Sequence, residues 1–251
     1  MNRLRHTPRR SRQAGFTLVE MMVAVTIGLV VLFGMTATFV NLKNTFKSQD
    51  KLGQLQDNER LSLTFLTNSI NEAGYYPDPK NASTITASTA PNTSPASPGG
   101  TMPAGVGVFG TADGGAATSP ESLQTAYASM ASDGLVSCIG TNYAGTGTVT
   151  VRNIYYVDPT TNSLMCRVLV NGLTSDAMTN AGKAQVLVTG VSKMQVYYGI
   201  APAGTSQVND YVGPAAVTAW GTVKSVRIAL TFANPFGGTD IVRKHTINVM
   251  N

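Results

Sequence analysis

The feature that most constrains this chain is a run of 25 residues, Phe16 to Val40, with a single charged member, Glu20. About 20 apolar residues are enough for a helix to cross a bilayer. No proline stands between Pro8 and Pro77, so nothing in the covalent chain stops a helix begun at residue 16 from running well past the apolar stretch. Beyond it the pattern turns amphipathic. Leu52, Leu55, Leu63, Leu66, Ile70 and Ala73 recur at spacings of 3, 4 or their sums, which is a helical period with one buried stripe. Glu59 interrupts that stripe where an apolar residue is expected. Gly74 suits a C-cap, and Pro77 and Pro79 forbid continuation. The sequence therefore predicts a helix over 16–73, about 87 Å long at 1.5 Å per residue.

Charge places the ends of that helix. Arg3, Arg5, Arg9, Arg10 and Arg12 fall in the first 15 residues, with no Asp or Glu among them. The other 13 of the chain's 18 Lys and Arg equal its 13 Asp and Glu. The formal charge of +5 thus belongs to a basic leader, and the body is neutral, which gives no support to a nucleic-acid footprint. Lys43, Lys47 and Lys51 follow the run but mix with Asp50, Asp57 and Glu59. The arginine excess before the run favours a cytoplasmic N-terminus and a body on the far side of the membrane. A secretory signal peptide fits poorly, because the run exceeds the usual 7–15 residues and no A-x-A site follows it. A plain anchor fits better but leaves Glu20 unexplained. A carboxylate costs roughly 2.5–3.5 kcal/mol at the centre of a spanning helix, and by default suggests a function. Glu20 lies near the cytoplasmic end, where the cost is smaller.

The residues Gly15-Phe16-Thr17-Leu18-Val19-Glu20, behind a basic leader and ahead of a long apolar stretch, resemble the type IV prepilin signal. The resemblance implies cleavage after Gly15 by a membrane peptidase and methylation of the new terminus, Phe16, by the same enzyme. It implies that Glu20, at mature position five, is needed for recruitment into a filament, where it meets the N-terminal amine of a neighbouring subunit. An acid among packed helices is tolerated only when paired. The sequence departs from many relatives in its 15-residue leader. It also lacks the early helix-kinking proline of many major pilins.

Residues 78–120 are rich in Pro, Gly, Ser, Thr and Ala and carry three charges, Asp78, Lys80 and Asp113. They read as a long loop, with a short edge strand somewhere in 102–109. Asn81 and Asn92 head glycosylation sequons, a weak pattern. Glu121–Ala131 reads as a short helix. From Leu135 the chain reads as β. Thr148–Val157 and Ser163–Val170 form a hairpin across the turn-rich Asp158–Asn162. Gln185–Val188, Ser192–Gly199, Val223–Phe232 and Thr239–Val249 are further strands. The expected fold is α+β, a type IV pilin-like lollipop: one long N-terminal helix packed by its second half on a mostly antiparallel sheet. Its parts are a basic leader, 1–15; a transmembrane or filament-core helix, 16–42; the amphipathic half of the helix, 43–76; a loop region, 77–120; and a β-rich periplasmic head, 121–251.

The two cysteines, Cys138 and Cys166, lie 28 apart. Outside the cytoplasm an even count favours a disulfide, with two buried thiols as the alternative; C-x-x-C redox spacing is absent. His6 and His245 are the only histidines. A zinc site built from His and Cys is therefore all but excluded, and no nucleophile elbow sits with His245. No catalytic residue, metal or cofactor is expected.

The head carries a second resemblance. Asn71–Pro77, Tyr155-Tyr156-Val157 followed by Leu164 and Cys166, Tyr197-Tyr198-Gly199, and the segment from Trp220 to Ile228 are similar, in their order, to the PilW group of minor pilins. Taken singly, each also reads as packing: Gly74 as a cap, the tyrosines as core, Trp220 as an anchor. The resemblance implies a low-abundance subunit processed by prepilin peptidase. Such a subunit sits in inner-membrane lipid with its head in the periplasm before assembly. There it primes pilus assembly with other minor pilins (PilV, PilX and a FimT/FimU-like subunit) and the major pilin, and ends at the tip. A minor pseudopilin of type II secretion shares the prepilin signal and is the main rival. Its calcium-binding carboxylate cluster is not visible among the scattered Asp133, Asp158, Asp176, Asp210 and Asp240. A tip adhesin or DNA-uptake pilin is a further rival.

Overall fold

A computed structural model describes residues 15–78, 85–90, 98–113, 120–131, 133–170, 178, 182–202, 204, 205 and 207–249. The chain divides into two compact units, Met1–Asp50 and Lys51–Asn251. The predicted long helix is present as α1, Leu18–Glu72, 55 residues without a break.

In the first unit the helix exposes its apolar side chains on all sides. Leu18, Val30 and Phe33 are each more than 70% exposed, although burying one such side chain is worth about 1.5–3 kcal/mol. Its length and composition suffice to cross a membrane. Threonine is the polar residue that recurs in this stretch, and its hydroxyls are satisfied internally. Thr26 donates to the Val23 carbonyl (2.9 Å), Thr36 to Leu32 (2.8 Å) and Thr38 to Gly34 (3.0 Å). Side chains bonded back to their own helix can enter an apolar medium without an unsatisfied donor.

In the second unit, eleven strands are described: β1 Ser88–Ala90, β2 Gly100–Met102, β3 Val108–Thr111, β4 Ser122–Ser129, β5 Val149–Asp158, β6 Ser163–Val170, β7 Ala184–Thr189, β8 Val191–Ile200, β9 Asp210–Val212, β10 Val223–Phe232 and β11 Ile241–Asn248. All strand pairs are antiparallel. The single expected sheet is in fact two main sheets and a small one. One is a five-stranded meander, β3-β4-β5-β6-β7; the second is ordered β11-β10-β8-β9; β1 and β2 form a two-stranded layer.

Three expectations need correction. Glu121–Ala131 is not a helix: it contains β4, flanked by β3 and β5, with all eight residues buried. The Pro- and Gly-rich 77–120 stretch contains β1, β2 and β3, the last an edge strand. Leu52 is exposed rather than part of the buried stripe. That stripe runs Leu55, Glu59, Ser62, Leu66, Ser69, Ile70 and Ala73. Two serines that the sequence reading leaves off the stripe are buried on it. The Ser62 hydroxyl bonds back to the Asn58 carbonyl (2.7 Å), and Ser69 reaches the Thr125 hydroxyl of β4 at 2.5 Å. The sequons at Asn81 and Asn92 lie outside the described residues.

The helix stripe and the inward faces of both main sheets make one core, with Leu66, Ile70, Val151, Tyr155, Val168, Tyr198, Ile228 and Leu230 at its centre. Gly74 ends the helix with φ 86°, a left-handed C-cap that glycine adopts without penalty, and its N–H donates to the Ala126 carbonyl of β4 at 2.9 Å. The β5–β6 turn closes as the sequence predicts. Asp158 accepts from the Thr160 N–H (2.9 Å), and Asn162 takes φ 47°, a conformation asparagine tolerates.

Candidate functional site

Gly15 and Phe16 precede the helix, and Thr17 caps it. The Glu20 N–H donates to Thr17 Oγ1 at 3.3 Å, while the Thr17 N–H and hydroxyl both donate to Glu20 Oε2 at 3.4 Å. This reciprocal arrangement is a capping box, with threonine at the N-cap and glutamate three residues on. The sequence reading of Glu20, as a recruitment residue implied by the prepilin resemblance, missed the cap, although T-x-x-E before an apolar run is its signature. The carboxylate also sits in the first turn, where it complements the positive end of the helix dipole. Gly15, Phe16, Thr17 and Glu20 are all exposed. The leader up to residue 14 lies outside the described residues.

Deeper in the chain, Glu59 meets Arg243 of β11, with Arg243 Nε donating to Glu59 Oε2 at 2.9 Å. The irregularity in the helical stripe is therefore an ion pair between residues 184 apart in sequence. Asn58 Nδ2 donates to the Thr189 carbonyl at 3.0 Å, and Lys51 Nζ to the Pro235 carbonyl at 3.3 Å. These contacts, all within the second unit, join its part of the helix to its own loops and strands.

Cys138 and Cys166 form a disulfide, with Cα atoms 6.4 Å apart. It fastens the 133–148 loop to β6. The loop is further held where the Cys138 N–H donates to Asn153 Oδ1 (3.2 Å) and where the Asp133 carboxylate accepts from the N–H groups of Met130 and Leu135. Beside it lies a pocket lined by Phe65, Ser69, Glu72, Ser137, Asn153 and Tyr155, among others. Burial raises the Glu72 carboxyl, and burial likewise raises the Tyr155 phenol.

Within the resembling head motifs, Trp220, Tyr198 and Gly199 are packing residues. Trp220 bridges the sheets, its ring 4.6 Å from Phe109 and 4.9 Å from Tyr198. A side chain at Gly110 would overlap the Tyr198 hydroxyl, and one at Gly199 would strike Ser225 and Tyr211. On the same face of the five-stranded sheet as Phe109, Arg152 is fully buried, its guanidinium 5.8 Å from the Phe109 ring centroid. It donates through Nε to Gln124 Oε1 (2.8 Å) and through a terminal nitrogen to the Gly100 carbonyl (3.1 Å). Burial first, and then the charge of Arg167, lower its pKa to about 10. No local pattern in the sequence signals these two buried arginines. His245 is exposed on β11. Among the described residues no three His, Cys, Asp or Glu converge as a metal site.

A long apolar N-terminal helix followed by antiparallel sheets is the α+β arrangement of a pilin-like chain. Residues 154–248 match the family model for type IV pilus-assembly protein W, and residues 10–36 match the prokaryotic N-terminal methylation motif. Together these matches support a PilW-type minor pilin of the type IV pilus, carrying a prepilin-type signal. No curated protein matches the chain.

Proposed function

We propose that the chain is cleaved after Gly15, methylated at Phe16, and used as a minor pilin that primes pilus assembly and ends at the tip. The observation that carries this reading is the first unit: a helix with its apolar side chains exposed, in a chain whose residues 10–36 match the methylation motif. Such a surface needs lipid or other apolar helices around it. In this reading the helix over 16–42 holds the subunit in the inner membrane, N-terminus cytoplasmic and head periplasmic. During assembly, helix packing replaces lipid. The Glu20 carboxylate leaves its weak contacts with Thr17 for the N-terminal amine of a neighbour, which sets axial register. The 121–251 head selects its neighbours, other minor pilins and the major pilin. The role is assembly, not catalysis. The match over 154–248 favours the pilus over the type II pseudopilus.

Mass spectrometry of the protein from its own cells tests the processing. A chain beginning at N-methylated Phe16 is expected, and an intact leader would overturn the reading. A deletion strain is expected to lose most surface pili while still making the major pilin. Normal piliation would refute the priming role.

A further inference from the structure

The outer face of the β11-β10-β8-β9 sheet carries a groove lined by Gln195, Tyr197, Tyr211, Arg227, Val242 and Lys244. Strand register explains the grouping. Arg227 pairs with Tyr197 on one side and Thr246 on the other, and Ala229 with Gln195 and Lys244, so these residues fall on adjacent rows of one face. The inward rows of the same strands hold Val226, Ile228 and Leu230, all buried.

Arg227 is held in place before anything binds. Its guanidinium lies over the Tyr211 ring, 3.8 Å from the centroid, and its Nε donates to Thr246 Oγ1 at 3.4 Å. The Tyr211 hydroxyl is itself fixed by the Ser225 hydroxyl at 2.9 Å. A guanidinium stacked on a ring and tied through Nε keeps its terminal nitrogens as a fork suited to a carboxylate. Lys244 stands one row away and is exposed. Among the described residues no carboxylate lines this groove. Asp240 is at the end of the sheet, where it accepts from Ser192 Oγ at 3.2 Å. The mature chain as a whole is neutral, so this face concentrates positive charge locally. Tyr197 and Val242 flank the cations and are exposed.

We propose that this face docks an acidic, extended polypeptide segment of a neighbouring subunit, its carboxylates held by Arg227 and Lys244 and its apolar side chains by Tyr197 and Val242. Alternate residues of an extended segment lie about 6.6–6.8 Å apart on one side, which suits two cations on adjacent rows. A nucleic acid is the weaker fit, because its affinity depends on neutralising many phosphates and the groove offers two cations. The assignment takes its neighbouring subunit from the pilin reading, but its test concerns the second unit alone, so it can fail while that reading stands.

The test uses the full chain in detergent micelles and fluorescence anisotropy with labelled deca-glutamate. Binding is expected, weakened roughly tenfold or more in an Arg227→Glu/Lys244→Glu variant and reduced as salt rises from about 50 to about 300 mM. An Arg227→Gln/Lys244→Gln variant, which adds no like-charge repulsion, is expected to weaken binding in the same direction with an unchanged circular dichroism spectrum. Failure of the wild-type chain to bind, or equal binding by the wild-type chain and the Gln variant, would overturn the proposal. Tighter binding of a labelled decathymidylate than of deca-glutamate would also overturn it and assign the face to nucleic acid.

Discussion

The Glu59–Arg243 pair is unequally buried, and that inequality predicts unequal mutational costs. The Glu59 side chain is 13% exposed and that of Arg243 is 53% exposed. Glu59 Oε1 is buried with no hydrogen-bond partner, so Arg243 supplies the described contact that neutralises this carboxylate. Arg243→Leu leaves a buried charge without its counter-ion. The desolvation penalty of an unsatisfied charged group sets the cost at about 2–3 kcal/mol, below the full value for a wholly buried pair. Glu59→Leu leaves behind only a half-exposed arginine, which water can solvate. The lost pair is worth at most about 1 kcal/mol, and a leucine on the buried stripe returns about as much through burial. The Glu59→Leu/Arg243→Leu double variant should therefore resemble Glu59→Leu. Thermal unfolding of the full chain in detergent, followed by circular dichroism, reads these differences. For a unit of this size they correspond to a fall in Tm of roughly 4–12 °C for Arg243→Leu and under about 4 °C for the other two. Equal losses for the two single variants, or a larger loss for Glu59→Leu, would refute the reasoning.

Other outcomes follow from the same structure. Replacing Cys138 and Cys166 by serine opens a loop of 28 residues and should cost about 3.6 kcal/mol in the chain-entropy account, seen as a lowered urea midpoint. Gly110→Ala should destabilise by about 1–3 kcal/mol because the added methyl meets the Tyr198 hydroxyl; adding Tyr198→Phe should recover part of the loss in the same unfolding assay. Burial raises the Glu72 pKa, so the folded state binds more protons than the unfolded one above the ordinary carboxyl range. Stability from this group is therefore fully present below the unfolded pKa and declines as pH rises through the folded one. Glu72→Gln should accordingly equal or exceed the wild-type chain in stability at neutral pH, and the difference should vanish in acid.

What the sequence revealed, it revealed through local pattern. The long helix was legible because no proline interrupts it and because a run of apolar residues gives way to a helical stripe. The β5–β6 hairpin was legible from β-branched runs around Asp158–Asn162, and the cysteine pairing from count and compartment. β4 was not legible. Only Thr125 and Tyr127 of its eight residues favour a strand, and a strand covered on both faces shows no alternation to read. The role of Glu59 was hidden because its partner, Arg243, is 184 residues away. The same limit hid the outer-face grouping of Tyr197, Tyr211, Arg227 and Lys244, which only the register of four strands assembles. At the N-terminus the spacing from Thr17 to Glu20 was available in the sequence, yet the acid was weighed against the membrane rather than against its own helix end.

The threonines of the apolar helix have a consequence for any change of surroundings. Thr26, Thr36 and Thr38 all direct their hydroxyls to backbone carbonyls of the same helix. Lipid and protein therefore look alike to this stretch: moving from one to the other breaks none of these bonds. Glu20 is the one group between Phe16 and Val40 whose charge distinguishes the two.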